Sequence, residues 1–173
     1  MSLLFVGLEP GLGEPLITHL VAQDDEVRVV EPDSGRAAHW KELGAYVARG
    51  DGVDADLIER AAQNVRTIVV LERATEDLGR AVEAALEGAA LAGVGRVVVC
   101  ASSVPRSVVD RLRASSLEYV AMSFGGRRRL FGSRSAPEST ITVAIDAADD
   151  LAGPVKLELD LSQPDALDSL GIT

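Results

Sequence analysis

The apolar residues of this chain come in short runs, and the stretches between them carry apolar residues at helical spacing. Leu3 to Val6 opens the series, and Val27–Val30, Tyr46–Ala48, Thr67–Leu71, Arg96–Cys100 and Leu117–Met122 continue it. A continuous run, unlike an alternating one, suits a strand covered on both faces. The intervening helices carry Leu16, Ile17, Leu20 and Val21; then Trp40 and Leu43; then Leu57, Ile58 and Ala61. Two more run from Leu78 to Ala92, rich in the strong helix formers Ala, Leu and Glu, and from Val108 to Ala114. Alternation of this regularity calls for right-handed crossovers and a parallel sheet. The expected class is α/β: a three-layer, doubly wound, mostly parallel sheet of six to seven strands with helices on both faces.

At 173 residues the chain is sized for one domain, 1–173. Residues 1–124 form the core βα units, and 125–173 hold an arginine-rich loop and trimmed C-terminal strands. In that tail Thr140–Ile145 reads as a strand and Val155–Leu161 alternates, so both are expected at a sheet edge, with an antiparallel arrangement open. Apolar residues make up 47% of the chain but aromatics only 3%, so the core must be built from Leu, Val, Ile and Ala. A net charge of −10 argues against binding nucleic acid or an anionic membrane, since both need positive surface. No apolar run approaches the roughly 20 residues of a membrane span, and the start lacks the basic flank of a signal peptide. Cys100 is alone and reads as an inert core thiol, and His19 and His39 have no ligand spacing. A cytoplasmic, metal-free protein is expected.

After the first strand the chain reads Gly7-Leu8-Glu9-Pro10-Gly11-Leu12-Gly13-Glu14-Pro15. Glycines in a strand-to-helix turn let a pyrophosphate approach the backbone at a helix N-terminus, where free N–H groups and the dipole favour anions. Glu31 ends the second strand, where an acidic residue can bind ribose hydroxyls, and Gly50-Asp51-Gly52 closes the third. Ala89 to Ser103, with Gly93-Val94 and Arg96 leading into Ser102-Ser103, continues the series, as does Leu112 to Tyr119. Together these stretches, over about residues 3 to 125, resemble the atypical, NmrA-like short-chain dehydrogenases/reductases with an NAD(P)-binding Rossmann fold. The resemblance implies a dinucleotide site at Gly7, Gly11, Leu12, Gly13, Glu31, Arg36, Asp51 and Gly52. Glu31 and Asp33 would repel a 2′-phosphate, so NAD(H) is expected over NADP(H); Arg36 is the one nearby basic residue that argues otherwise.

The pattern is broken in two places. Pro10 stands where such proteins usually carry glycine, and Glu9 and Glu14 flank the turn. A carboxylate 6 Å from a phosphate costs about 2–3 kcal/mol at an effective dielectric near 20. A helix N-terminus returns only about 0.3–1 kcal/mol. Glu14 also reads as a first-turn acid that complements the helix dipole, with Pro15 in the first turn. Catalysis is more deeply affected, because no Tyr-x-x-x-Lys pair exists: the tyrosines are Tyr46 and Tyr119, the lysines Lys41 and Lys156. Ser102 and Ser103 are the remaining catalytic candidates, and they read equally as turn formers. Arg127, Arg128, Arg129 and Arg134, in the loop 127–134, suit either an anion or acidic-partner contact or a solvated loop. Three functions follow as expectations: a sensor or regulatory Rossmann protein with a weakened nucleotide site, a small NAD(P)H-dependent oxidoreductase relying on cofactor-driven hydride transfer, or a nucleotide-free scaffold. A homodimer through helix 78–92 would suit the last.

Overall fold

The computed structural model describes residues 2–72, 77–125, 136–163 and 165–172. Its strands are β1 (Ser2–Val6), β2 (Glu26–Glu31), β3 (Tyr46–Arg49), β4 (Thr67–Leu71), β5 (Arg96–Ala101), β6 (Glu118–Ser123) and β7 (Lys156–Asp160). All neighbours pair in parallel, in the order β3-β2-β1-β4-β5-β6-β7. The helices are α1 (Pro10–Val21), α2 (Ser34–Glu42), α3 (Ala55–Ala61), α4 (Leu78–Ala92), α5 (Arg106–Ala114) and α6 (Glu138–Asp150). This is the doubly wound Rossmann arrangement expected from the sequence.

The two-residue period of β1 sorts the core into two layers. Leu3 and Phe5 face one side, where Leu16, Ile17 and Leu20 of α1, Trp40 of α2 and Ile141 and Ile145 of α6 close over them. Leu4 and Val6 face the other, against Ile58 of α3, Val82 and Ala85 of α4 and Leu112 of α5. The central strands β4 and β5 are buried throughout, which accounts for their unbroken apolar runs. The chain winds outward from β1 to β3, then returns to place β4 on the other side of β1. That reversal opens a crevice at the carboxyl ends of β1 and β4.

The tail departs from expectation. Thr140–Ile145 is not a strand but the middle of α6, although Thr140, Ile141, Thr142 and Val143 are β-branched or strand-prone. Ile141, Ala144, Ile145 and Ala148 are buried at three- and four-residue spacing, and covering the sheet with that stripe outweighs local propensity. β7 is parallel, not antiparallel, because α6 carries the chain back across the sheet before it pairs with β6. Its alternating exposure fits an edge strand. With β6, α6 and β7 thus make a further βαβ unit of the same sheet.

Candidate functional site

The turn after β1 is built so that its glycines serve different ends. Gly7 has φ +80°, and a Cβ there would lie 2.4 Å from the backbone oxygen of Leu71 in β4. At Gly13 a Cβ would meet Trp40 at 2.7 Å and Leu8 at 2.8 Å, so this glycine lets α1 sit close to the strand and to α2. Gly11 is exposed, and a Cβ would meet only the side chain of Glu138, at 3.3 Å. Gly7 and Gly13 are therefore spent on packing, while Gly11 alone offers bare backbone in the first turn of α1.

That helix starts earlier than its apolar spacing predicts. Pro10 occupies its first turn, and Glu9 is its N-cap without a side-chain capping bond. No acidic residue lies in the first turn, so Glu14 is not the dipole-complementing acid expected, and Pro15 sits inside the helix. Glu14 instead pairs with His39 of α2 at 2.9 Å.

Gly7, Gly11 and Leu12 line a cavity of about 260 Å³ at the β1/β4 reversal, with Leu71, Cys100, Phe124 and Ile141 among its apolar walls. Glu9, Glu72 and Glu138 also line it, and no described lining residue is basic. Glu72 follows β4 directly and accepts two hydrogen bonds through one oxygen, from the Ser102 N–H at 2.7 Å and the Ser102 hydroxyl at 2.6 Å. Ser102 is thus tied to a carboxylate at the crevice, whereas Ser103 is exposed. Burial, and secondarily the charge of Glu72, pushes the Cys100 thiol up to about 12, so it stays protonated and unreactive at neutral pH.

The adenosine-side candidates lie at the ends of β2 and β3. Glu31 is 1% exposed; it accepts from the Asp33 N–H and Arg36 at 2.8 Å each and from the Trp40 indole at 3.2 Å. Burial raises its carboxyl, but these three partners outweigh that and hold it below the ordinary value. Arg36 is engaged with Glu31, and Asp33 caps α2 by accepting the Arg36 N–H at 2.8 Å, which holds the Asp33 carboxyl low. Asp51 accepts from the Val53 N–H at 3.2 Å, and a Cβ on Gly52 would strike Val6 at 2.5 Å.

Among the described residues no tyrosine hydroxyl is hydrogen-bonded to a lysine. Tyr119 is buried near the start of β6, at the end of the sheet opposite the crevice, with its hydroxyl 3.3 Å from Glu158. Lys156 donates to the Ser115 carbonyl, and Tyr46 is exposed on the edge strand. The arginine-rich loop 127–134 lies outside the described residues; Phe124 and Ala136, which flank it, both line the crevice and share a backbone bond of 2.8 Å. Helix α4, expected to pair two copies, spends its buried face on the core, and Leu91 is its large exposed apolar residue.

Two lining residues escaped the sequence reading. Glu72 stands one residue past an apolar run, and nothing in the sequence marks its contact with Ser102. Glu138 was hidden because α6 itself read as a strand.

No protein-family model matches the sequence, and no curated protein matches it. Solved structures do match by shape. An anaerobilin reductase, ChuY, from Escherichia coli O157:H7 superposes with a TM-score of 0.74 at 16% identity, covering 95% of this chain and 97% of that one. The triphenylmethane reductase of Citrobacter sp., complexed with NADP(H), gives 0.71 at 16% identity over 92% of this chain and 69% of the other. An NADPH-dependent quinone oxidoreductase of E. coli, complexed with NADPH, gives 0.72 at 14% identity, with 91% and 68% covered. The chain has the Rossmann-type fold of these reductases.

Proposed function

We propose that this protein binds a nicotinamide dinucleotide weakly and acts as a sensor or regulatory partner rather than by tyrosine–lysine catalysis. The observation that carries this reading is Gly11: bare backbone at a helix N-terminus, at the β1/β4 reversal, with the Glu138 carboxylate against it. The turn fits a pyrophosphate. Glu9 and Glu138 are exposed, and screening by water lowers the repulsion without removing it. The cavity is also smaller than the roughly 300–1,000 Å³ usual for a drug-sized ligand, so most of a dinucleotide would lie along the open surface.

NAD(H) is the preferred form in this reading, because Glu31 and Asp33 stand at the end of β2 and Arg36 is held by Glu31. The arginines 127–129 and 134 are assigned on their charge and on the crevice-lining position of Phe124 and Ala136. They would offset the carboxylates toward the phosphates, and replacing Arg127–Arg129 with Gln should weaken binding. Calorimetric titration of the intact chain is the test. Saturable binding at submillimolar to millimolar NADH, tighter than NADPH, is expected; no saturation by millimolar nucleotide would overturn the reading.

A second reading, a small oxidoreductase, is favoured by the Ser102–Glu72 pair, which puts a hydroxyl and a carboxylate together at the crevice. Here a bound cofactor would supply the hydride, and Ser102, its hydroxyl turned from Glu72, would orient the acceptor. Oxidation of NADH by a panel of quinones and flavins, lost in Ser102→Ala, would establish it.

A further inference from the structure

The carboxylates of the crevice stand at two different places, and charge has a different meaning at each. Glu9 and Glu138 belong to the Gly11 turn, where a pyrophosphate would lie. Glu72 belongs to the far side, at the end of β4, fixed by two bonds from the first residue after β5. In a doubly wound sheet a dinucleotide spans the reversal, with one mononucleotide on each half. The half made by β1 to β3 carries the adenosine-side residues Glu31 and Asp51, so the half beginning with β4 faces the nicotinamide.

The pyrophosphate has the same charge in both redox states. The nicotinamide ring does not: it is a cation when oxidised and neutral when reduced. We propose that Glu72 makes this crevice selective for the oxidised, cationic nicotinamide, a selectivity that rests on the dinucleotide reading above. Glu72 is half-buried in the lining of the cavity, where water screens it less than it screens the exposed Glu9 and Glu138. No described residue lining the cavity carries a positive charge to cancel it, and the arginines 127–129 and 134 are assigned above to the phosphates rather than to the ring. Ser102 adds to the effect by holding one carboxylate oxygen through both its N–H and its hydroxyl, so the group is positioned rather than swinging. Preference for the oxidised form also lowers the potential of the bound couple, which makes the reduced form a stronger hydride donor in this site than in water.

The test is calorimetric titration of the intact chain with NAD⁺ and with NADH separately, for the parent, Glu72→Gln and Glu138→Gln. Glutamine keeps the shape of Glu72 and still accepts from Ser102. A unit charge beside a partly buried carboxylate is worth about tenfold or more, so the parent should bind NAD⁺ about tenfold more tightly than NADH. Each tenfold in that ratio lowers the two-electron potential of the bound couple by about 30 mV, an independent readout. Glu72→Gln should bring the ratio close to one. Glu138→Gln should tighten both forms together and leave the ratio unchanged.

A ratio unmoved by Glu72→Gln, with both forms still bound, would overturn the role of Glu72 and leave the dinucleotide reading standing. A parent that prefers NADH would do the same, and this outcome holds even if Glu72→Gln does not fold. Failure of the parent to bind either form would overturn the dinucleotide reading and the selectivity together.

Discussion

The Trp40 indole N–H donates to Glu31 at 3.2 Å, tying the last residue of β2 to the buried face of α2. The same carboxylate accepts from Arg36 and from the Asp33 N–H. Glu31→Gln removes the charge that Arg36 answers and gives the site an amide it has no need of. Because Arg36 is about one-third exposed and can turn to water, the cost should be about 1–3 kcal/mol. The sign with pH follows from the lowered carboxyl of Glu31. Its contribution is complete above the unfolded value of about 4.5 and is lost as pH falls through the folded value. Urea midpoints of parent and variant should therefore differ at pH 7 and converge toward pH 3.

Asp149 should show the opposite dependence. It is 2% exposed at the end of α6, where it accepts a short hydrogen bond from the Thr67 hydroxyl and lies 3.8 Å from Arg66. Burial raises its carboxyl, and Thr67 and Arg66 offset this only in part. A carboxyl raised in the folded state contributes stability that is complete below the unfolded value of about 3.8 and lost as pH rises through the folded value. Asp149→Asn, which keeps an acceptor for Thr67, should be more stable than the parent at pH 7 and lose that advantage in acid. Thermal melts at pH 7 and pH 3.5 compare the two; a variant less stable than the parent at pH 7 would show that the Arg66 pairing dominates.

Arg96 should tolerate no replacement. Its guanidinium is nearly buried and donates to the carbonyls of Ala148, Asp149 and Leu151 at 2.7–2.8 Å, and to Glu118 at 2.6 and 3.0 Å. The unpaired carbonyls at the end of α6 are thereby capped from β5. Lysine offers a single ammonium and cannot reach three carbonyls and a carboxylate together. Arg96→Lys should cost about 3 kcal/mol, read as a lower urea midpoint, with amide exchange rising first in the last turn of α6.

How much of this was legible in the chain depends on whether a segment's own pattern or its neighbours decided its state. The apolar run Val97–Cys100 reads as a covered strand, and the alternation of six such strands with helices points directly to the parallel sheet. Thr140–Ile145 misled because β-branched residues favour strands locally, while the deciding contacts, Ile141 and Ile145 against the sheet, are made by distant parts of the chain. The site divided in the same way. Gly11 and Glu31 were visible through their positions after strands, but the engagement of Glu31 by Trp40 and Arg36 belongs to the folded α2. Glu72 needed Ser102, thirty residues later, to acquire any meaning.

The three glycines of the first turn give the sharpest separation of folding from binding. Gly7→Ala must place a Cβ 2.4 Å from the Leu71 carbonyl oxygen at φ +80°, where both the contact and the backbone oppose it. Gly13→Ala drives a methyl into Trp40 and Leu8, inside the core. Each should cost about 2–4 kcal/mol or prevent folding, since overpacking alone costs about 1–3 kcal/mol. Gly11→Ala meets only the movable carboxylate of Glu138 and replaces glycine within a helix, which should stabilise the fold by about 0.5–1 kcal/mol. That same methyl would stand over the bare backbone offered to a pyrophosphate, so NAD(H) affinity should fall about tenfold or more while the melting temperature holds or rises. Thermal melts and calorimetric titrations on the three variants check this. A Gly11→Ala protein that binds nucleotide as well as the parent would remove the first turn of α1 from the binding site, and with it the strongest structural reason for placing a dinucleotide in this crevice.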